Sequence, residues 1–228
     1  MNHKQLLSLA AVALGMVAAP ALAQHSVYVG GAYIDVHSKA APLSFSPPKV
    51  PPINDARIEV DDASTAGFGY SYRFAPQWSF EAALGVPPKH KTYGRGALEP
   101  FGQLSTVTQV APTVFVNYHV GRWGRFEPFV GVGLNYTKFT KGRSTKSGEL
   151  AGGGPTDIKL SDSWGAAAHV GTSFEIDKRW SLITTVAYAD VKSNLTATTH
   201  HHDGTTSRAT TRIEFRPVVY TLCVGYNF

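Results

Sequence analysis

VVYTLCVGYNF, residues 218–228, carries bulky groups at every second position: Val218, Tyr220, Leu222, Val224, Tyr226 and Phe228 on one side, with Val219, Thr221, Cys223, Gly225 and Asn227 on the other. A period of two is that of a β-strand. One face is greasy, the other mostly small or polar, and the last residue is an aromatic ring. What covers the greasy face decides the fold, and the answer has to come from the rest of the chain.

At the other end, MNHKQLLSLAAVALGMVAAPALAQ has a basic start (His3, Lys4), an apolar run from Leu6 to Ala19 and the small-residue pattern Ala21-Leu22-Ala23. This reads as a cleaved secretory signal peptide, residues 1–23, ahead of a single domain, residues 24–228. The apolar run is short of the roughly 20 residues that a spanning helix needs. Such a chain meets an oxidising compartment, yet Cys223 is its one cysteine, so no disulfide framework is expected. The formal charge is +5, but the basic residues are scattered and show neither the stripe nor the module of a nucleic-acid binder. A basic rim facing anionic lipid headgroups suits them better.

Alternating segments recur along the chain. HSVYVGGAYIDVH is interrupted by glycine and ambiguous in phase. STAGFGYSYRF and WSFEAALGV are joined by Ala75-Pro76-Gln77, close enough for a hairpin. TQVAPTVFVNYHV, EPFVGVGLNYT, SWGAAAHVGTSFEI and WSLITTVAYADV follow, and the C-terminal strand is the eighth. Connections alternate in length: short after the second, fourth and sixth segments, long and polar after the first, third, fifth and seventh. An eight-strand meander with these connections puts every long loop at one end. That is the pattern of an outer-membrane barrel, an all-β, antiparallel, up-and-down fold with short periplasmic turns and long extracellular loops.

The greasy face is then the lipid face. Its aromatics, Tyr72, Trp78, Tyr136, Trp164, Trp180, Tyr226 and Phe228 among them, cluster near segment ends as interfacial girdles do. The opposite faces hold Gly, Ala, Ser and Thr, too little bulk for the packed interior of a water-soluble sandwich or lipocalin-like barrel.

The blocks PPKHKTYG (87–94), VAPTVFVNYHV (110–120), FEPFVGVGLNYTKF (126–139), SDSWGAAAHVG (161–171), WSLITTVAYADV (180–191) and VGYNF (224–228) resemble the outer membrane protein W family, which includes alkane-uptake outer-membrane proteins. The resemblance implies an eight-stranded barrel in the bacterial outer membrane with a hydrophobic interior and uptake of small apolar compounds. It also implies a C-terminal strand read by the outer-membrane assembly machinery. The lipid bilayer and lipopolysaccharide are the remaining expected partners, and no cofactor is expected. The Pro-rich first loop and THHHDGTT (199–206) in the fourth match the family poorly.

Eight strands leave room for side chains or one small ligand. Alternation points Arg73, Glu81, His119 and Glu175 inward beside the short turns, as a periplasmic polar plug. The inward set above them is Ala83, Gly85, Ala111, Thr113, Phe115, Gly131, Gly133, Gly165, Ala167, Ile183, Thr185, Ala187 and Val219, a small-walled apolar upper lumen. Pro112, within the fourth segment, cannot donate to a ladder, and Pro87-Pro88 ends the third. A weak lateral seam between those strands would let an apolar solute leave sideways.

Two other classes are set beside transport. His169, Ser173 and Glu175 share a face and offer the residue types of a membrane-embedded lipid-modifying enzyme. Neighbours on one strand face stand roughly 6 to 7 Å apart, too far for direct contact. A structural or adhesive barrel acting through its loops is the third class; there His200, His201, His202 and Asp203 have metal-ligand chemistry, although loop histidines are usually solvated.

Overall fold

The computed structural model describes residues 25–47 and 53–228; the signal-peptide segment lies outside the described residues. Eight antiparallel strands close a barrel: β1 (His25–Val36), β2 (Ala63–Ala75), β3 (Trp78–Gly85), β4 (Thr113–His119), β5 (Phe126–Ser144), β6 (Ser163–Glu175), β7 (Trp180–Ala189) and β8 (Pro217–Asn227). Each pairs with its neighbour in sequence, and β8 returns to β1 with Ser26 opposite Asn227 and Val36 opposite Pro217. The C-terminal stretch is therefore a closing strand, and Phe228 exchanges backbone hydrogen bonds with His25.

Exposure follows the alternation and is inverted relative to a water-soluble protein. Outward Trp164, Val132 and Leu222 are 74%, 68% and 58% exposed, while inward Ser79 and Asn117 are 1% and 2% exposed. An apolar belt of this size, continuous around the barrel, is a lipid-facing surface. The phase of β1 is settled too: Val27, Val29 and Tyr33 face out, and Tyr28 faces in.

Rings pair across strands at both edges of the belt. On the short-turn side Trp78 meets Tyr118, Trp180 meets Tyr226, and Tyr72 stacks on His25. At the loop side Tyr136 meets Trp164 and Tyr33 meets Tyr220. There the Tyr33 and Tyr136 hydroxyls donate to Asp62 and Asp162, so each ring keeps its body in lipid and its polar tip at the boundary. The Tyr33 hydroxyl and the Val36 amide hold the Asp62 carboxyl below the usual carboxylate range.

The long loops are more ordered than their composition suggests. They build a two-sheet dome above the barrel. One sheet joins Ala56–Val60, Lys89–Gly96, Gln103–Val110 and the upper part of β5. The other joins Thr156–Leu160, Lys192–His200 and Thr206–Glu214, with Lys39–Ala40 and Ser44–Ser46 along its edge. Between them lies a dry core of Ile58, Val60, Val107, Phe139, Val191, Leu195, Ile213 and Phe215. A short helix α1 (Lys146–Gly152) follows β5, with Thr145 as N-cap accepting from the Gly148 amide at 3.1 Å and Gly153 as the left-handed C-cap at φ 86°.

Candidate functional site: a barrel cavity with a broken ladder

The interior is built in tiers. Nearest the short turns, Glu127 is the hub. Arg73 reaches its Oε1 at 2.6 Å and His119 Nδ1 lies 3.2 Å from the same oxygen, while Arg122 contacts Oε2 at 3.1 Å and also pairs with Glu175. Ser79 holds the other His119 nitrogen at 3.0 Å. Arg73, His119 and Glu175 thus gather in one cluster, as alternation places them. Glu81 does not join it, because the next tier claims it.

In that tier a hydrogen-bonded chain crosses from β1 to β6. Tyr28 Oη and Asn117 Nδ2 donate to the two Glu81 oxygens, each at 2.6 Å. His169 Nε2 and Asn117 Oδ1 are 2.7 Å apart. The His169 ring lies flat on Phe115, centroids 3.9 Å apart and planes 7° apart, and sits edge-on to Phe129. Gly131 makes the room: a Cβ there would fall 2.1 Å from Asn117 Oδ1 and 2.4 Å from His169 Nε2. Gly69 likewise clears the Tyr28 ring, which a Cβ would meet at 2.3 Å. Tyr28 is not legible as an inward residue in the sequence, because Gly30 and Gly31 leave the phase of β1 ambiguous. Glu127 and Asn117 were available from parity alone.

Along the remaining wall runs a cavity of about 800 Å³. Ala83, Gly85, Ala111, Thr113, Phe115, Ile183, Thr185 and Ala187 line it together with Arg73, Glu81, His119 and Glu175, and so do Tyr28, Asn117, Thr221 and Cys223. Gly131, Gly133, Gly165, Ala167 and Val219 stand on the inward parity but do not border it. The β5–β6 side of the lumen is filled by the Phe115–His169–Phe129 stack. The lumen is accordingly more polar than small-residue counting suggested.

The outer mouth of the barrel is lined by polar pairs beneath the dome core. Asn135 bonds Thr113 and Thr137, Gln109 bonds His90, and above them Phe139 stacks on Phe215 at 4.9 Å amid Val191 and Ile213. Thr137 and His90 are 0% exposed. Among the described residues, the dome core lies across that end.

Pro112 is not mid-strand but marks a break between two ladders. Below the break Ala83 faces Thr113; above it Lys89 faces Thr108. The β3 side has residues 84–88 in the interval and the β4 side only 109–112, so the register slips by one residue. The flanking chain is held elsewhere: the Val86 amide donates to Ala66 on β2 and the Tyr136 amide of β5 donates to Pro112. Pro87, Pro88 and Pro112 supply no N–H. The β3–β4 wall is unpaired at the height where Gly85 and Ala111 border the cavity.

The three residue types of the enzyme alternative are not assembled. His169 is engaged by Asn117 and Glu175 by Arg122, rather than either by Ser173. In the fourth loop His200 pairs with Asp157, His201 with Ser207, and Asp203 with the amide and hydroxyl of Thr205. Among the described residues no group of three or more His, Cys, Asp or Glu side chains could hold a metal ion.

The profile of the OmpW family matches residues 21–228. Outer membrane protein W of Vibrio cholerae is 32% identical over 175 residues, 76% of this chain and 77% of that protein. A Pseudomonas aeruginosa protein named dibenzothiophene metabolism operon protein PahQ is 23% identical over 170 residues, 75% of this chain and 74% of its own length. Among solved structures, the crystal structure of the outer membrane protein OprG from Pseudomonas aeruginosa superposes with a TM-score of 0.79 at 24% identity, covering 90% of this chain and 95% of OprG. With the closed eight-stranded barrel and its apolar belt, these likenesses establish that the chain belongs to the OmpW family of bacterial outer-membrane barrels.

Proposed function

We propose that the barrel mediates passive uptake of small apolar molecules and releases them sideways into the bilayer through the β3–β4 seam. The observation that carries this reading is the slipped, proline-flanked ladder between Ala83–Thr113 and Lys89–Thr108, beside a cavity large enough for one small ligand. Below it the Glu127 cluster and the Glu81 chain present charge and hydrogen-bonding groups, which an apolar solute would have to desolvate to pass. Leaving through the wall carries no such cost. The name of the PahQ relative, tied to the metabolism of an apolar aromatic heterocycle, agrees with such a solute.

Arrival from outside passes through the dome. An apolar pocket of about 90 Å³ lies between its sheets, against Leu43, Phe45, Ile58, Leu104, Ile158 and Leu195. The Phe139–Phe215 stack stands between this pocket and the barrel, and its side chains must rotate to admit a solute. In the same reading, β8 with its terminal Phe is the segment recognised by the assembly machinery, and lipopolysaccharide surrounds the loops.

The test is uptake of a solute panel into liposomes holding the reconstituted barrel. Dibenzothiophene and other small apolar solutes should enter faster than into empty liposomes, and sugars of similar size should not. Equal acceleration of both sets would make the barrel a general pore.

A further inference from the structure

The outer face of the first dome sheet carries a cluster of five cations near its lower edge. Its cross-strand rows read Lys89–Thr108–Thr140 and Lys91–Thr106–Arg143, with Lys138 beside Val110 below them and Lys141 in the bulge between. All five cations are exposed. On the same dome Arg57, Arg95, Lys192 and Arg216 each pair with an acid, at Asp55, Glu59, Asp190 and Glu214, and the other sheet's outer face carries three exposed cations of its own, Lys159, Arg208 and Arg212. Lys89, Lys91, Lys138, Lys141 and Arg143 form no ion pair among the described residues. Of the bordering acids, Asp162 accepts from Tyr136, while Asp61 is the cross-strand neighbour of Lys91 at the edge of the cluster and forms no ion pair with it. Within the two rows the cations are separated by threonine hydroxyls.

Height selects the partner. Lys138 is two residues above Tyr136, which with Trp164 marks the upper edge of the lipid belt. At roughly 3.3 Å per residue along the strand, Lys138 stands about 7 Å above the girdle, within the headgroup layer, and the two rows about 13 and 20 Å, on its outer side where the polar head of a large glycolipid extends. We infer that this face binds the phosphate groups of a phosphorylated glycolipid in the outer leaflet, with lysine and arginine donating to phosphate oxygens and the threonine hydroxyls completing the contacts. The inference rests on the membrane placement of the barrel and not on transport. A lipid held here stands beside Pro88 and Val110, directly over the seam.

Native mass spectrometry of the detergent-solubilised barrel with diphosphoryl lipid A reads this directly. The triple variant Lys89→Gln, Lys91→Gln, Arg143→Gln should lower the lipid-bound fraction on the order of ten-fold. A matched triple on the other sheet's outer face, Lys159→Gln, Arg208→Gln, Arg212→Gln, should leave it within about two-fold. Lipid A stripped of phosphate should bind the unaltered barrel no better than the intact lipid binds the first triple. Retained binding in the first triple, an equal loss in both, or indifference to the phosphates would each overturn the assignment. So would displacement by inorganic phosphate at equal phosphate concentration, which would make it a site for the free ion. Should the triple fail to give the heat-modifiable folded band on electrophoresis, Lys91→Gln alone carries the comparison. Solute uptake by the same variants is scored separately, so loss of transport and loss of lipid binding are told apart.

Discussion

The amide of Tyr136 donates to the carbonyl of Pro112 at 3.0 Å, so the polar backbone of Pro112 is turned to β5 and the end of β3 beyond Ala83 has no partner across the gap. The N–H that a valine would add at 112 points toward Tyr136, not across the gap. Across the gap the Gln109 amide already donates to the Pro88 carbonyl at 3.0 Å, and the reciprocal bond is missing because residue 88 is proline. Pro88→Val should supply it, and Pro112→Val should straighten upper β4. The double variant is expected to slow uptake of an apolar solute into liposomes several-fold, and each single variant less. Unchanged rates would detach the seam from transport.

Glu127 neutralises Arg73 and Arg122 while also contacting His119. Glu127→Gln leaves those groups facing one another. Removing one partner of a well-buried pair costs about 3 to 5 kcal/mol, but Arg122 is half exposed, so about 1 to 3 kcal/mol is expected. Urea unfolding in lipid vesicles, followed by tryptophan fluorescence, measures it.

Gly131→Ala places a methyl against Asn117 and His169. The chain from Tyr28 to His169 must shift, at a cost of about 1 to 3 kcal/mol as in other overpacked interiors. Gly31, which faces lipid with nothing near it, should tolerate the same change. A matched pair of unfolding curves separates them.

Asp177 accepts from the Arg179 and Trp180 amides in the β6–β7 turn, at 2.7 and 2.8 Å, and these bonds hold its carboxyl below the usual range. A carboxyl with a lowered folded-state value stabilises above its unfolded value, and the contribution fades as pH falls through the folded one. Asp177→Ala should therefore unfold at lower urea than the parent at pH 7, with the gap closing below roughly pH 4. A gap that is constant down to pH 2 would assign the difference to something other than the carboxylate.

Phe139→Ala should open the dome toward the barrel. Apolar uptake rises if the Phe139–Phe215 stack is the barrier, while the dome loses about 3 to 5 kcal/mol of packing. Hydrogen exchange at Val107 and Ile213 reports the loosened core, and the uptake assay reports the gate.

The barrel was legible in the sequence because one face of each strand is solvated by hydrocarbon, which makes a period of two hard to miss from β2 through β8. β1 was not legible in phase: Gly30 and Gly31 interrupt the pattern, and with it went Tyr28. The dome was hidden for a different reason. Its strands are short, and Ala56–Val60 alternates Ile58 and Val60 with Arg57 and Glu59 inside a stretch rich in proline and charge. The seam was half legible: the prolines were visible, but the one-residue slip between Ala83–Thr113 and Lys89–Thr108 exists only in the paired register. Parity gives Glu81 its inward direction but not its height, which depends on the stagger around the barrel and sets it with Tyr28 and Asn117.

Lateral release is tested most directly by tethering its two lips. In a Cys223→Ser background, Gly85→Cys and Ala111→Cys put one thiol on each side of the unpaired β3–β4 wall, and a short bis-maleimide can join them in reconstituted liposomes. Apolar uptake should fall several-fold in the tethered barrel relative to the same protein treated with a mono-maleimide. Equal uptake in both would show that the solute does not leave between β3 and β4.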